Sequence, residues 1–196
     1  MGSPTYKPWE AVVIKNFEIE FKSAITEEKY HELLQAFALE NNIFKQTNYY
    51  FDTDDYYFKG LHTVIRIRQK GESRFKVTMK AQGELGSFEN HVFLKKEDAL
   101  KMLEEGFNTA DFFEHEDHQF VTYKVSLDNY RASTPYEGGT LFLDRSQYCG
   151  VIDYEIEYEA NDYDEGKKIF EQFMVNHHLK TMPTKRKSER AFSCQR

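Results

Sequence analysis

Charged and apolar side chains alternate without a break over Phe17–Lys22, which reads F-E-I-E-F-K. A period of two is typical of a β-strand whose two faces meet different surroundings. The pattern recurs along the chain at 12–22, 46–53, 63–70, 74–81, 87–94, 120–131, 140–145 and 151–160. So many short alternating segments favour an antiparallel barrel or sandwich.

Helical patterns lie between the predicted strands. They cover 26–38, 96–105, 109–118 and 162–179, and Thr26 is a suitable N-cap for the first of them. A further short strand is predicted near the end of the sequence, at 185–192. Strands dominate this pattern, so we predict a mainly β protein of the α+β class.

The composition restricts the classes of partner. The chain has 196 residues, which favours one domain over 1–196, with 1–10 as a flexible lead-in. The net charge of −7 argues against a nucleic-acid or anionic-membrane partner, and no apolar run is long enough to span a membrane. Cys149 and Cys194 are too few for a disulfide framework or a four-ligand zinc site. We therefore expect free thiols in a reducing cytosol, and a cytoplasmic location.

The signs of the charges are sorted by strand. Cations occupy alternate positions of 63–70 and 74–81, whereas carboxylates occupy them in 151–160. A water-facing sheet surface would explain each strand taken singly. The sorting of the signs, together with bulky apolar residues on the opposite faces, instead favours a closed sheet with helices outside and charges inside. Such an interior is costly unless a ligand neutralises it, and a polyanion bound with a divalent metal would do so.

Several motifs occur in the order found in one known family. They are E-I-E-F-K at 18–22, Y-F-D-T at 50–53, V-I-R-I-R at 64–68, V-T-M-K at 77–80, N-Y-R at 129–131, L-F-L-D at 141–144 and Y-E-I-E at 154–157. Over about residues 17–192 the chain resembles the CYTH superfamily, the triphosphate tunnel metalloenzymes, and in particular its small bacterial members. The resemblance implies an eight-stranded antiparallel closed barrel that forms a tunnel, with flanking helices. It also implies hydrolysis of a triphosphate.

The resemblance implies a role for each matching residue. The implied metal ligands are Glu18, Glu20, Glu89, Asp144, Glu155 and Glu157. The implied phosphate-binding residues are Lys22, Arg66, Arg68, Lys80, Arg131 and Lys185, with Lys187 as the competing assignment for Lys185. Lys76 adds a cation to this wall, and Phe21 replaces a cation common in the family. The residues closest to the chemistry would be Glu18, Glu20, Lys22 and Glu157.

The resemblance also implies the cofactor and the ligand. Carboxylate oxygens suit Mg²⁺ or Mn²⁺, and we expect about two ions per site when substrate is bound. The expected ligand is a small triphosphate, either inorganic triphosphate, thiamine triphosphate or a nucleoside triphosphate. An adenylyl-cyclase-like enzyme and a non-catalytic triphosphate- or polyphosphate-binding module are the alternatives. We expect a monomer or a homodimer.

Overall fold

The structure is a computed structural model that describes residues 12–114 and 118–194. The lead-in predicted at 1–10 lies outside these residues. The strands are β1 Ile14–Ile25, β2 Phe44–Asp52, β3 Thr63–Lys70, β4 Arg74–Gln82, β5 Ser87–Leu94, β6 Phe107–Asn108, β7 Phe120–Tyr136, β8 Gly139–Tyr148 and β9 Val151–Ala160. The helices are α1 Glu27–Ala36, α2 Tyr57–Gly60, α3 Lys96–Glu105, α4 Tyr163–Asn176 and α5 Lys187–Phe192, with a 3-10 turn at Thr109–Asp111.

The strands form a closed antiparallel barrel. Their order around it is β2, β3, β4, β5, β1, β9, β8, β7, and pairing of β2 with β7 closes the ring. The two-residue strand β6 pairs with β7 outside this ring of eight. Closure leaves no edge strand in the ring, so its backbone hydrogen bonds are satisfied within it. The predicted eight-stranded barrel is therefore confirmed.

Strand register sorts the side chains into an inner and an outer face. Arg68 on β3 is opposite Lys76 on β4, and Asp144 on β8 lies between Arg131 on β7 and Glu155 on β9. Side chains at these alternate positions point inward. The intervening positions carry the apolar residues, which point outward and require cover from helices.

Two apolar clusters cover the outer face of the barrel. The first joins β3 and β4 to α3 and the region around β6, through residues such as Ile67, Val77 and Met102. The second joins β8 and β9 to α1 and α4, through residues such as Ile156 and Phe173. Most of the hydrophobic core therefore lies between the barrel and its helices, which leaves much of the interior of the barrel to polar groups.

Polar caps fix where several helices begin. Thr26 accepts a hydrogen bond from the backbone N–H of Lys29 at the start of α1, as predicted, and Asp162 accepts one from Glu165 at the start of α4. The Asp52 carboxylate accepts hydrogen bonds from three backbone N–H groups around α2, those of Thr53, Phe58 and Lys59. Asp52 therefore has a structural role in the local turn.

The prediction of a strand at 185–192 is wrong, because Lys187–Phe192 forms the helix α5. The Glu189 side chain accepts a hydrogen bond from the Arg186 backbone N–H at 2.9 Å, which fixes the start of this helix. Both Ala191 and Phe192 are buried, although they are adjacent in sequence, and strand alternation cannot produce that arrangement. They pack against inward-facing side chains of the barrel, and the sequence of a short segment does not reveal such a contact.

The helix predicted at 109–118 is also not formed as expected. Within its described part the chain makes only the 3-10 turn Thr109–Asp111, where the Asn108 side chain accepts from Ala110 N–H at 2.9 Å. Residues 115–117 lie outside the described part of the chain. Among the described residues, no helix combines the length and the apolar character needed to cross a membrane.

The expectation of free thiols is wrong. Cys149 and Cys194 form a disulfide, with their Cα atoms 6.2 Å apart, and the two residues have a sequence separation of 45. Cys149 lies in the turn between β8 and β9, and Cys194 follows α5. The packing of α5 on the barrel brings the two residues together, and a count of cysteines cannot anticipate this.

Candidate functional site

A cavity of about 410 Å³ lies inside the barrel, bounded by inward-facing side chains. Its charged lining among the described residues consists of Lys22, Arg66, Arg68, Lys76, Lys80, Arg131, Arg186, Lys187, Glu18, Glu20, Glu89, Glu157 and Glu159. Eight of these are cations and five are carboxylates, so the lining carries three more positive charges than negative ones. Such a lining favours an anionic ligand.

Glu89 organises one cationic wall of the cavity. Its carboxylate accepts from Arg66 at 3.2 Å and from Lys76 at 3.3 Å, and it is almost fully buried. Burial opposes ionisation, but Arg66 and Lys76 outweigh it and lower the pKa of Glu89 to about 2. Glu89 therefore stays charged and holds the two cations in place on β3 and β4.

Arg68 lies in the same wall, on the same strand as Arg66, and has a weaker anionic environment. Its Nε donates to the side-chain oxygen of Asn48 at 2.8 Å. Burial, followed by the neighbouring charges of Arg66 and Arg131, lowers the pKa of Arg68 to about 9. An anion bound here would offset the burial of this guanidinium, so Arg68 is suited to a phosphate oxygen.

A second group of charges joins β1 and β4. Lys80 donates to Glu18 at 2.7 Å and lies 3.9 Å from Glu20, and Lys22 also lies 3.9 Å from Glu20. Burial lowers the pKa of Lys80, but Glu20 and Glu18 outweigh it and raise this pKa. Glu159 lies opposite Glu20 on β9, where burial and then Glu18 and Glu20 raise its pKa.

Three carboxylates form a buried cluster, which we call the acidic trio: Asp144, Glu155 and Glu157. One oxygen from each lies within 4.8 Å of the others. The Lys187 ammonium is 2.8 Å from Asp144, 2.5 Å from Glu155 and 2.5 Å from Glu157. Arg131 makes a two-point contact with Asp144 at 2.7 and 2.6 Å and also bonds Glu157. A single cation from α5 thus contacts all three carboxylates.

The surroundings of the acidic trio shift the pKa values of Glu155 and Glu157 in opposite directions. Burial raises the pKa of Glu155, and the adjacent Glu157 adds to this effect, although Lys187 opposes it. Burial acts on Glu157 in the same direction, but Lys187 and Arg131 outweigh it and hold the pKa of Glu157 well below its usual range. Arg131 and Lys187 also outweigh burial at Asp144 and lower its pKa, so Asp144 and Glu157 are held as anions more firmly than Glu155.

The acidic trio fits a divalent metal ion. Three convergent carboxylates supply the oxygen ligands that Mg²⁺ and Mn²⁺ prefer. The Lys187 ammonium already shows that a cation contacts all three of them at once. An ion at this position would have to displace or share the space of that ammonium.

The structure divides the residues predicted as metal ligands into three groups. Glu18 and Glu20 lie with Lys80, Glu89 lies with Arg66 and Lys76, and the acidic trio lies with Lys187 and Arg131. Among the predicted phosphate-binding residues, Lys22, Arg66, Arg68, Lys76, Lys80, Arg131 and Lys187 line the cavity. Lys185 is exposed and does not line it, so Lys187 is the one of that pair that faces the interior.

Sequence reasoning missed several lining residues. Tyr50, Gln82 and Phe142 line the cavity, and the face of Arg131 lies over the Phe142 ring at 4.1 Å. Gln82 follows Lys80 on the same face of β4, so period-two alternation was a usable signal for it. Arg186 had no such signal, because its position depends on the start of α5.

The fold and the site together define a class of proteins in which a closed antiparallel barrel carries a charged site in its interior. The chain belongs to the CYTH family, since the CYTH domain model matches residues 16–192. The matched segment begins in β1 and ends with α5, so it includes all of the barrel except the first two residues of β1.

Similar proteins agree with this membership. A protein of Bacillus subtilis strain 168 named "Putative triphosphatase YjbK" is 32% identical over 186 residues, covering 93% of this chain and 97% of that protein. A crystal structure from Bacillus halodurans, described as "a putative adenylate cyclase", has a TM-score of 0.81 at 30% identity, covering 91% and 98% of the two chains. The HpAC1 protein of Hippeastrum, whose description reports a dominant triphosphatase activity for that protein, has the same fold, with a TM-score of 0.71 at 19% identity over 92% and 96% of the chains.

Proposed function

We propose that this protein hydrolyses a triphosphate held inside the barrel and uses a divalent metal ion as cofactor. The observation that carries the proposal is the cavity lining, in which eight cations face five carboxylates, one of which, Glu157, belongs to the acidic trio. A linear polyanion would neutralise the cations of this lining, and a divalent cation would neutralise its carboxylates. The name of the Bacillus subtilis relative, at 32% identity, supports the same substrate class.

The cationic wall binds and orients the substrate in this proposal. Arg66, Arg68, Lys76 and Lys80 lie on neighbouring strands and would contact successive phosphate oxygens. Because β3 and β4 are paired over Thr63–Lys70, these cations are held on a rigid frame. A bound chain of phosphates would therefore lie along this wall.

The acidic trio would hold Mg²⁺ or Mn²⁺, and Glu18 and Glu20 are the residues we propose for a second ion. A bound divalent ion would neutralise phosphate charge and favour ionisation of an attacking water. Glu157 remains ionised in its cationic surroundings and so serves as a ligand. Lys22 would lie close to the phosphate and would stabilise the charge that develops on it.

A substrate panel tests the proposal. Orthophosphate release would be measured from inorganic triphosphate, thiamine triphosphate and ATP, each with Mg²⁺, with Mn²⁺ and with a chelator. We expect metal-dependent release from at least one triphosphate. Tight triphosphate binding without release under any condition would contradict the enzymatic proposal and favour a binding module.

An adenylyl-cyclase-like activity is the second candidate, since the Bacillus halodurans structure at 30% identity is described as that of "a putative adenylate cyclase". The same panel separates the two candidates when the ATP reactions are also analysed for cyclic AMP. Cyclic AMP formed without orthophosphate release would favour the cyclase. Orthophosphate release without cyclic AMP would favour the hydrolase.

We also propose a single-domain protein that acts as a monomer or homodimer, in the cytoplasm and without a nucleic-acid partner. The net charge of −7 supports the last point. The disulfide is compatible with a cytoplasmic location if it forms transiently, because stable disulfides are rare in reducing compartments. Light scattering of the purified protein would measure the oligomeric state.

A further inference from the structure

Helix α5 is held on the inner wall of the barrel by apolar and ionic contacts. Ala191 and Phe192 pack with inward-facing Tyr50, Leu127 and Tyr148. Lys187 contacts the acidic trio, and Arg190 bonds the carboxylates of Asp153 and Glu155. The six-residue helix therefore brings two cations onto the carboxylates of β8 and β9.

The Cys149–Cys194 disulfide ties the end of α5 to the same two strands. Cys194 lies two positions after the last residue of α5, and Cys149 lies in the turn that joins β8 to β9. Those strands carry Asp144, Glu155 and Glu157. The disulfide therefore crosslinks α5 to β8 and β9. These are the strands whose carboxylates the cations of α5 neutralise.

Turn geometry does not account for a cysteine at position 149. Cys149 has φ of +47° and Gly150 has φ of +77°, so both residues of this two-residue turn are left-handed. Turns of this kind favour Asn, Asp or Gly at the first position. A cysteine is unfavourable there on backbone grounds, and the covalent bond gives it a function that the turn does not require.

A short helix depends on its attachments. A segment of six residues is too short to persist as an isolated helix in water, so α5 forms only while it is packed on the barrel. With the disulfide closed, its C-terminal end cannot move away from the β8–β9 turn. With the disulfide open, only the noncovalent contacts retain it.

We propose that the Cys149–Cys194 disulfide is a redox latch that holds α5 against the inner wall of the barrel and so keeps Lys187 among the acidic trio, where it competes with a divalent metal ion. The part concerning the metal rests on the proposed function. Reduction releases the latch, α5 leaves the wall more often, and the trio becomes more available to the ion.

The chemistry of release is thiol–disulfide exchange with a dithiol reductant. Cys149 is exposed, so a thiolate of the reductant attacks its sulfur and forms a mixed disulfide, while Cys194 leaves and takes up a proton. The second thiol of the reductant then loses its proton and attacks the reductant sulfur of the mixed disulfide, and Cys149 leaves as a thiolate and takes up a proton. The products are two cysteine thiols and the oxidised, cyclic form of the reductant, so two electrons pass to the protein.

Hydrogen exchange tests the latch without reference to metal or activity. The backbone N–H groups of Arg190, Ser193 and Cys194 are hydrogen-bonded within or next to α5, so their exchange reports its opening. We expect exchange in 187–194 to be at least roughly tenfold faster in the reduced protein than in the oxidised protein. Cys149→Ser without reductant should match the reduced wild type, and a reductant should not change this variant further. Equal exchange in the oxidised and reduced proteins would overturn the proposal.

Mn²⁺ binding tests the competition with Lys187. Titration of oxidised wild type and of Cys149→Ser, both without substrate or reductant, avoids chelation by thiols. We expect the variant to bind Mn²⁺ several-fold more tightly, on the order of fivefold or more. If hydrogen exchange in α5 is faster in Cys149→Ser but its Mn²⁺ affinity equals that of oxidised wild type, the proposed competition between Lys187 and the metal ion is overturned. If the protein hydrolyses no triphosphate but hydrogen exchange in α5 is still faster after reduction, the proposed enzymatic function is contradicted and the proposed latch is supported.

Discussion

Lys80 on β4 donates a 2.7 Å hydrogen bond to Glu18 on β1, 62 positions away in the sequence. The strands β4 and β1 are not neighbours, because β5 lies between them in the barrel. The contact therefore crosses the interior above β5. It demonstrates that the charged faces of separate strands converge on one enclosed space, which is the feature on which the proposed function depends.

Truncation of Arg66 should weaken binding of triphosphate more than binding of monophosphate. Arg66 lines the cavity, so Arg66→Ala removes one charge-assisted contact that a chain of phosphates would use. We expect a loss of roughly 10- to 100-fold in triphosphate affinity, corresponding to about 1.4–2.8 kcal/mol, measured by titration calorimetry. Lys185→Ala is the matched control, since Lys185 is exposed and outside the lining, and it should bind normally. Equal losses for both ligands in Arg66→Ala would argue against a multi-phosphate wall.

Neutralisation of Asp144 should weaken metal binding. Asp144→Asn keeps the shape of the side chain but removes one anion from the buried acidic trio. We expect at least a roughly tenfold weaker affinity for Mn²⁺, measured from the spin-resonance signal of the free ion. Asp164→Asn on the exposed surface of α4 is the control and should keep the wild-type affinity. Wild-type affinity in Asp144→Asn would remove the trio from the metal site.

A methyl group at Gly86 should disturb the position of Glu18. A Cβ at Gly86 would lie 2.4 Å from the Glu18 carbonyl oxygen and 2.8 Å from the Phe17 ring. Gly86→Ala should therefore lower the free energy of unfolding by about 1–3 kcal/mol, measured by urea denaturation. Gly60→Ala is the control, because nothing lies within 4 Å of its Cβ, and it should be at least as stable as wild type. A fully stable Gly86→Ala protein would show that β1 does not pack so closely on this turn.

The contribution of Glu89 to stability should depend on pH. Its pKa falls from 4.5 to about 2 on folding, so the ionised form binds the folded protein's cations and stabilises the fold above pH 4.5. This contribution should disappear as the pH falls from 4.5 towards 2. We expect the difference in unfolding free energy between wild type and Glu89→Gln to shrink over that range, by on the order of 3 kcal/mol. A difference independent of pH between 2 and 6 would contradict the ion pairs with Arg66 and Lys76.

The barrel could be predicted from the sequence because each strand carries its own two-faced pattern. The strands at 63–70, 87–94 and 151–160 and the helix at 96–105 have the bounds that alternation and helical periodicity predict. The placement of the charged side chains inside the barrel could also be predicted, since the sorted signs of the charges leave few other arrangements. These features are local, or repeat along the chain, and are therefore visible without coordinates.

The errors arise where a contact between distant segments decides the structure. Ala191 and Phe192 lie in a helix on the inner wall because they pack against Tyr50 and Leu127, which are distant in the sequence. That packing brings Cys194 to Cys149, and it puts Lys187 rather than Lys185 inside. The division of the carboxylates into three groups likewise depends on which cations oppose them, and no motif encodes that. The single-domain organisation and the residue roles stay predictions.

Orthophosphate release from inorganic triphosphate, followed as Mn²⁺ is added to metal-depleted protein, tests the central claim most directly. The account predicts negligible release without the ion, a rate that rises and saturates with Mn²⁺, and its loss in Asp144→Asn. Release that is equally fast in the presence of a chelator, or that survives unchanged in Asp144→Asn, would contradict it.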